Sequence, residues 1–180
     1  MGEPDAGAGA PAEPPALVAA ARAGDDDAFG ALYRRFRPLV RGVLLARLPP
    51  ADADDVTQEV FMVAHKKLGA LRDDAAIGAW LCTIARTRAI DRLRAQKPAA
   101  PYDESVHAVA APGASALEVL EARRVLAAIQ ELPEAYREPL VLRLVEGLSG
   151  PEIARLTGLT EGSVRVNLHR GMALLRERVA

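Results

Sequence analysis

Four carboxylates, Asp52, Asp54, Asp55 and Glu59, fall within eight residues, and five cations, Arg86, Arg88, Arg92, Arg94 and Lys97, fall within twelve. With His65 nearby, the acidic group has the residue types of a metal site. Carboxylates at the start of a helical segment, however, are already favoured there by the helix dipole. His107 and His169 lie far off in the chain, and no Ser-His-Asp arrangement or glycine-rich phosphate loop accompanies them. The single cysteine, Cys82, excludes an internal disulfide and the four-ligand zinc spacings; flanked by apolar residues, it reads as a small buried hydrophobe. No catalytic residue, metal or cofactor is therefore expected, and the protein does not read as an enzyme. The chemistry left to these residues is charge recognition: an acidic surface suits a basic protein, and basic surfaces suit a polyanion.

That charge is partitioned along a chain whose total is close to neutral. The 180 residues carry a formal net charge of −1, with 23 Lys+Arg against 24 Asp+Glu. Residues 25–97 carry +3, residues 1–24 and 98–116 each carry −2, and residues 117–180 are neutral. Within the last segment Arg155, Arg165, Arg170, Arg176 and Arg178 outweigh Glu161 and Glu177, so basic surface gathers in two places far apart in sequence. No apolar run approaches the ~20 residues of a membrane-spanning helix, and a cytoplasmic protein without membrane insertion is expected.

The elements that must position these charges are helices. Residues 1–16 are mostly Ala, Gly, Pro, Glu and Asp, a composition expected of a disordered tail. Residues 98–114 again collect Pro, Ala and Gly without a period and read as a flexible linker. Between them, residues 17–97 hold three periodic segments. Phe29, Leu32, Tyr33, Phe36, Leu39, Val40, Val43 and Leu44 form the first stripe, which Pro38 should bend. Val56, Val60, Val63 and Ala64 line a second helix over about 52–68, leaving Asp55, Gln58, Glu59 and Met62 outward. Ile77, Leu81, Ile84 and Ala85 line a third, and Arg88 falls where that stripe would continue, so its C-terminal half should project with its arginines free. Residues 115–180 open on a capping box, Ser115 with Glu118, and Ser149 with Glu152 repeats the spacing. No segment alternates with a period of two. The expected fold is all-α: two small helical domains joined by a flexible linker.

The second domain contains a helix-turn-helix pattern. Ala154 suits a close helix crossing, Gly158 the left-handed turn, Thr160 the cap of the next helix and Val164 its anchor. In that arrangement the second helix enters the major groove and offers Ser163, Arg165, Val166, Asn167, His169 and Arg170 to base edges and phosphates.

Three segments, DADDVTQEVFMVAHKKL (52–68), AWLCTIARTRAIDRLRA (79–95) and the stretch from Leu132 to Val179, resemble in this order the two conserved regions of bacterial RNA polymerase sigma factors of the extracytoplasmic-function class. The specific part is the acidic Asp-Asp-x-x-Gln-Glu-x-Phe helix followed by the Trp-x-x-x-Ile-Ala-Arg-x-x-x-x-Asp-x-x-Arg helix. The resemblance implies that Asp54, Asp55, Gln58, Glu59 and Phe61 dock on the β′ clamp helices of core RNA polymerase. It implies that Trp80, Arg86, Arg88, Arg92 and Arg94 open and hold the −10 promoter element, with the loop Leu71–Ala76 cupping a flipped base. The −35 element would fall to Arg155, Ser163, Arg165, Asn167, His169 and Arg170. Trp80 stands open between a core aromatic and a base-facing one. Where the family usually has another basic residue in the recognition helix, this chain has Val166 and Asn167, and Asn167 offers a pairing with adenine. The short linker implies the minimal two-domain class, and restraint by an anti-sigma protein or by the acidic tail is left open. Two other readings remain: a stand-alone duplex-DNA regulator using residues 149–178 alone, which leaves the acidic helix unexplained, and a module binding only proteins, which leaves the basic clusters unexplained.

Overall fold

The structure, a computed structural model, describes residues 12–95 and 115–179. Among these the chain is all-α, with eight α-helices and two short 3-10 turns. The first domain comprises α1 (Pro14–Arg22), α2 (Asp26–Leu45), α3 (Pro50–Lys67) and α4 (Ile77–Ala95). The second comprises α5 (Ala116–Gln130), α6 (Glu134–Leu144), α7 (Gly150–Thr157) and α8 (Glu161–Val179).

Helix α1 corrects the expected tail, of which residues 1–11 lie outside the described residues. Pro14, Pro15 and Ala16 are helical, and Val18 is fully buried. Prolines suit a first helical turn, which has no use for their missing amides. Arg22, at the end of α1, donates to Asp74 Oδ1 at 2.8 Å and to the Leu71 carbonyl at 3.0 Å, tying the segment between α3 and α4 to the domain. The expected linker, residues 98–114, also lies outside the described residues.

The first core follows the expected stripes. Leu32, Val40, Val43 and Leu44 of α2 pack with Val56, Val60 and Ala64 of α3 and with Ile77, Leu81 and Ala85 of α4. Helix α2 starts at an Asp25 cap, whose side chain accepts from the Ala28 amide at 3.0 Å, and runs unbroken past Pro38. On α4 the buried stripe reaches one turn beyond Ala85, to Ala89 next to Arg88, before Ile90 and Leu93 become exposed.

In the second domain Ser115 and Glu118 form the expected capping box, and the Ser149 amide and hydroxyl donate to Glu152 Oε2 at 2.8 and 2.5 Å. Gly158 closes α7 in the left-handed region, φ 75°. Thr160 Oγ1 accepts from the Ser163 amide at 3.1 Å, the cap expected for α8. Leu140, Val141 and Leu142 of α6 are buried, and Leu144 and Val145 at its end are exposed. Helices α6 and α8 approach so closely that a Cβ on Gly171 would lie 2.9 Å from Leu140 Cδ1 and 3.1 Å from Tyr136 Cβ.

The two domains pack on each other, α2 against α6 and α4 against α7. The Gln130 side chain at the end of α5 donates to the Leu45 and Leu48 carbonyls at 2.8 Å each, satisfying acceptors left over at the C-terminus of α2. A Cβ on Gly42 of α2 would lie 3.1 Å from Glu146 Cγ, and one on Gly78 of α4 would lie 3.4 Å from Leu156 Cδ2.

Candidate functional site

Helix α3 places its acidic residues unequally. Asp55, Gln58 and Glu59 are exposed beside Met62, which is 61% accessible. Asp54 is half-buried and receives Arg41 Nε at 2.5 Å. Phe61 is only 4% accessible; it lies edge-on to Tyr33, ring centroids 4.8 Å apart, and to Phe29 at 6.5 Å. It therefore supports the face from within the core, and Met62 supplies the apolar surface outside. The Asp-Asp-x-x-Gln-Glu-x-Phe pattern brought Phe61 into the expected site, but burial separates it from the surface three residues before it. His65 stands edge-on to Phe29, centroids 4.7 Å apart.

On α4 two of the arginines, Arg86 and Arg92, are not free, contrary to expectation. Arg92 reaches back to α3, 3.2 Å from Glu59 Oε1 and 3.5 Å from Asp52 Oδ1. Arg86 turns to the second domain, where Nη2 meets Glu138 Oε1 at 2.6 Å and the Leu156 carbonyl at 2.8 Å, and Nε meets the same carboxylate at 3.1 Å. Burial opposes the charge of Arg86, but the hydrogen bond and charge of Glu138 outweigh it and raise the guanidinium above its ordinary range. Arg88 lies 3.9 Å from Asp91, and Arg94 is exposed. Trp80 is half-buried and packs on the hydrophobic core. Cys82, one turn before Arg86, is fully buried, and that burial pushes its thiol up to about 12.

In the loop before α4, Asp73 accepts from the Ala75 amide at 3.0 Å and Asp74 holds Arg22. Both carboxylates are thus engaged in shaping the loop. The groove beside it is closed on the far side by Glu152, Arg155 and Leu156 of α7.

On α8 Ser163, Arg165, Val166, His169 and Arg170 are exposed and Asn167 is half-buried, while Val164 is fully buried beneath them. The Ser163 hydroxyl accepts from Thr160 Oγ1 at 2.9 Å. Arg155, expected with this group, is exposed on α7 beside the groove facing the first domain, apart from the α8 face. Sequence reasoning missed Arg47 and Glu138. Glu138 is 6% accessible and receives Arg47 Nη1 at 2.8 Å in addition to Arg86. Its one local signal is an acidic residue on the apolar side of α6.

A helical domain with an acidic helix face, followed by a helix-turn-helix domain, is the arrangement of the sigma-70 proteins. Residues 32–98 match sigma-70 region 2 and residues 122–175 match sigma-70 region 4. The chain is 37% identical over 162 residues to the ECF RNA polymerase sigma factor SigM of Mycobacterium tuberculosis, covering 88% of this chain and 81% of that protein. It is 38% identical to the RNA polymerase sigma factor CarQ of Myxococcus xanthus, covering 87% and 91%. The structure of CnrH in complex with the cytosolic domain of CnrY superimposes with a TM-score of 0.68 at 28% identity, covering 91% and 95%. The chain belongs to the extracytoplasmic-function (ECF) sigma factors of bacterial RNA polymerase, which act with the polymerase in promoter-specific transcription initiation. Among the described residues no helix is long and apolar enough to cross a membrane.

Proposed function

We propose that this chain acts in the cytoplasm as a two-point promoter reader, with docking, strand opening and duplex recognition on three separate surfaces. The observation that carries this reading is the segregation of charge on exposed helix faces: Asp55 and Glu59 on α3, and Arg165 and Arg170 on α8. The α3 face, with Met62 at its centre, docks on the β′ clamp helices of core polymerase, because negative charge repels DNA and attracts a basic protein surface. Once core has captured the chain, α4 presents Trp80, Arg88 and Arg94, with Arg86 and Arg92 after they leave their carboxylates, to the separated −10 strand. The accessible part of Trp80 offers an aromatic contact for an unstacked base and the cations offer phosphate contacts. Helix α8 enters the major groove of the −35 element through Ser163, Arg165, Asn167, His169 and Arg170, and Arg155 contributes from α7. All chemistry belongs to the polymerase. Because the neighbouring CnrH structure is a complex with the cytosolic domain of CnrY, a second protein that binds this chain directly is proposed as a further partner.

Run-off transcription with purified core polymerase on fragmented host DNA tests the reading, and discrete new transcripts are the expected result. The variant Asp55→Lys with Gln58→Lys reverses the exposed docking face while sparing Asp54 and its bond to Arg41. It should lose co-elution with core while keeping the helical content of the parent. Undiminished co-elution would place docking elsewhere, and a parent protein that directs no transcript would favour a stand-alone duplex-DNA regulator.

A further inference from the structure

The segment that joins α3 to α4 contains two 3-10 turns, Leu68–Ala70 and Asp74–Ala76. The first is closed by the Leu71 amide on the Leu68 carbonyl at 3.2 Å, the second by the Ala76 amide on the Asp73 carbonyl at 3.0 Å. Leu71 is buried, whereas Arg72, Asp73 and Ala75 are exposed. What spans the two turns comes from α1, which packs on both. Arg22, in the last turn of α1, donates through Nη2 to the Leu71 carbonyl at 3.0 Å and to Asp74 Oδ1 at 2.8 Å, with a longer approach of 3.5 Å to the Leu68 carbonyl. Its Nη1 reaches Asp74 Oδ2 at 3.3 Å. One planar guanidinium thus fixes the carbonyl that leaves the first turn and the carboxylate that opens the second, a geometry that a fork of donors matches and a point charge does not. The helix dipole favours a cation at a helix end but gives it no reason to reach another segment. Arg22 does reach one, and fully buried Val18, one turn before it, anchors the helix that carries it.

We propose that Arg22 is the positioning residue of the 71–76 loop: by gripping the Leu71 carbonyl and the Asp74 carboxylate together, it holds the loop in the shape that selects a base of the −10 strand. The proposal rests on the assignment of that loop to the −10 element. Arg22 touches no base; its guanidinium is engaged with the loop, and the exposed Arg72, Asp73 and Ala75 are left for DNA. A binding site keeps its selectivity only while its contacts are held to within ~0.5 Å by the groups around them. Loosening the grip should therefore blur the choice of base before it weakens binding as a whole.

Arg22→Lys tests this on the full chain, since it keeps the charge and most of the side-chain stem but loses the fork. The probe is fork-junction DNA made from a promoter found by run-off transcription, carrying each of the four bases in turn at each position of the −10 element. With holoenzyme, the preference of the parent for the correct base, expected to be about tenfold or more, should fall several-fold at one position in Arg22→Lys. Affinity for core polymerase and for the −35 duplex should stay unchanged. Full base selectivity in the variant would overturn the proposal. Arg22→Ala separates positioning from a direct phosphate contact: if Arg22 met a phosphate, the log–log salt slope of fork binding would drop by about 0.7, and that drop with selectivity intact would also overturn it. In the free protein, amide hydrogen exchange over residues 71–76 should quicken about tenfold in Arg22→Lys while the buried amides of α3 and α4 keep their protection. Unchanged exchange in the loop would refute the grip itself. If the parent directs no transcription at all, the sigma assignment fails, and the exchange comparison still decides whether Arg22 holds the loop.

Discussion

The pair Arg86–Glu138 joins residues 52 positions apart, and its contribution to stability can be separated from any role in DNA binding. Arg86 keeps 24% of its side chain accessible and Glu138 keeps 7%, so water screens the pair only partly. A hydrogen bond to a charged group contributes ~1.5–3 kcal/mol, and the bidentate contact at 2.6 and 3.1 Å behaves as one such unit. Allowing for the exposed fraction of Arg86, we expect a coupling of about 2 kcal/mol in a double-mutant cycle of Arg86→Ala and Glu138→Gln. Each single change leaves a partner desolvated, so each should cost more than half the coupling on its own. The double variant should then cost about 2 kcal/mol less than the sum of the singles. Urea unfolding followed by circular dichroism, in the absence of DNA and polymerase, reads these values. The denaturant slope adds a second readout: if the pair makes the domains unfold together, its loss splits the transition and lowers the apparent slope. A coupling below ~0.5 kcal/mol, the ordinary additivity error, would refute the reasoning.

Three further outcomes follow from local geometry. Gly171→Ala puts a methyl 2.9 Å from Leu140 Cδ1 and should destabilise the protein by ~1–3 kcal/mol, seen as a lower midpoint in thermal melting. Arg165→Ala should reduce the salt dependence of duplex binding by roughly 0.9 in log–log slope if it meets a phosphate, with core binding intact, as fluorescence anisotropy at several salt concentrations would show. Hydrogen bonds from the Ser149 hydroxyl and amide hold the Glu152 carboxyl below its ordinary range. That stabilisation is complete above the unfolded-state value and is lost as pH falls through the lower folded value. The stability gap between the parent and Ser149→Ala should therefore close on acidification from about pH 7 to about pH 3, measured by urea midpoints.

Much of this architecture is written in short-range patterns. The capping spacings of Ser115 with Glu118 and Ser149 with Glu152, the left-handed Gly158 and the stripes of α2 to α4 each depend on neighbours within a turn or two, and the structure has them as expected. Helix α1 escaped because Pro14, Pro15 and a run of alanines carry little hydrophobic period; one residue, Val18, anchors it in the core. Phe61 was placed on the surface by motif spacing, although its position on α3 turns it toward Tyr33 and Phe29. The engagement of Arg86 was illegible for a different reason. Its partners, Glu138 and the Leu156 carbonyl, lie 52 and 70 residues away, and no local period encodes a contact between two separately folded domains. Gly171 belongs to the same class, since its smallness matters only once α6 is laid across α8.

The two bonds from Gln130 to Leu45 and Leu48 have a consequence in the solvent. Parting the domains hands those carbonyls, the Gln130 amide and the groove lining to water, so opening takes up hydration as a reactant. Solutes excluded from protein surfaces, such as sucrose or trimethylamine oxide, then oppose opening in proportion to the surface wetted. Any step that parts these two domains should therefore be suppressed as the concentration of such a solute rises.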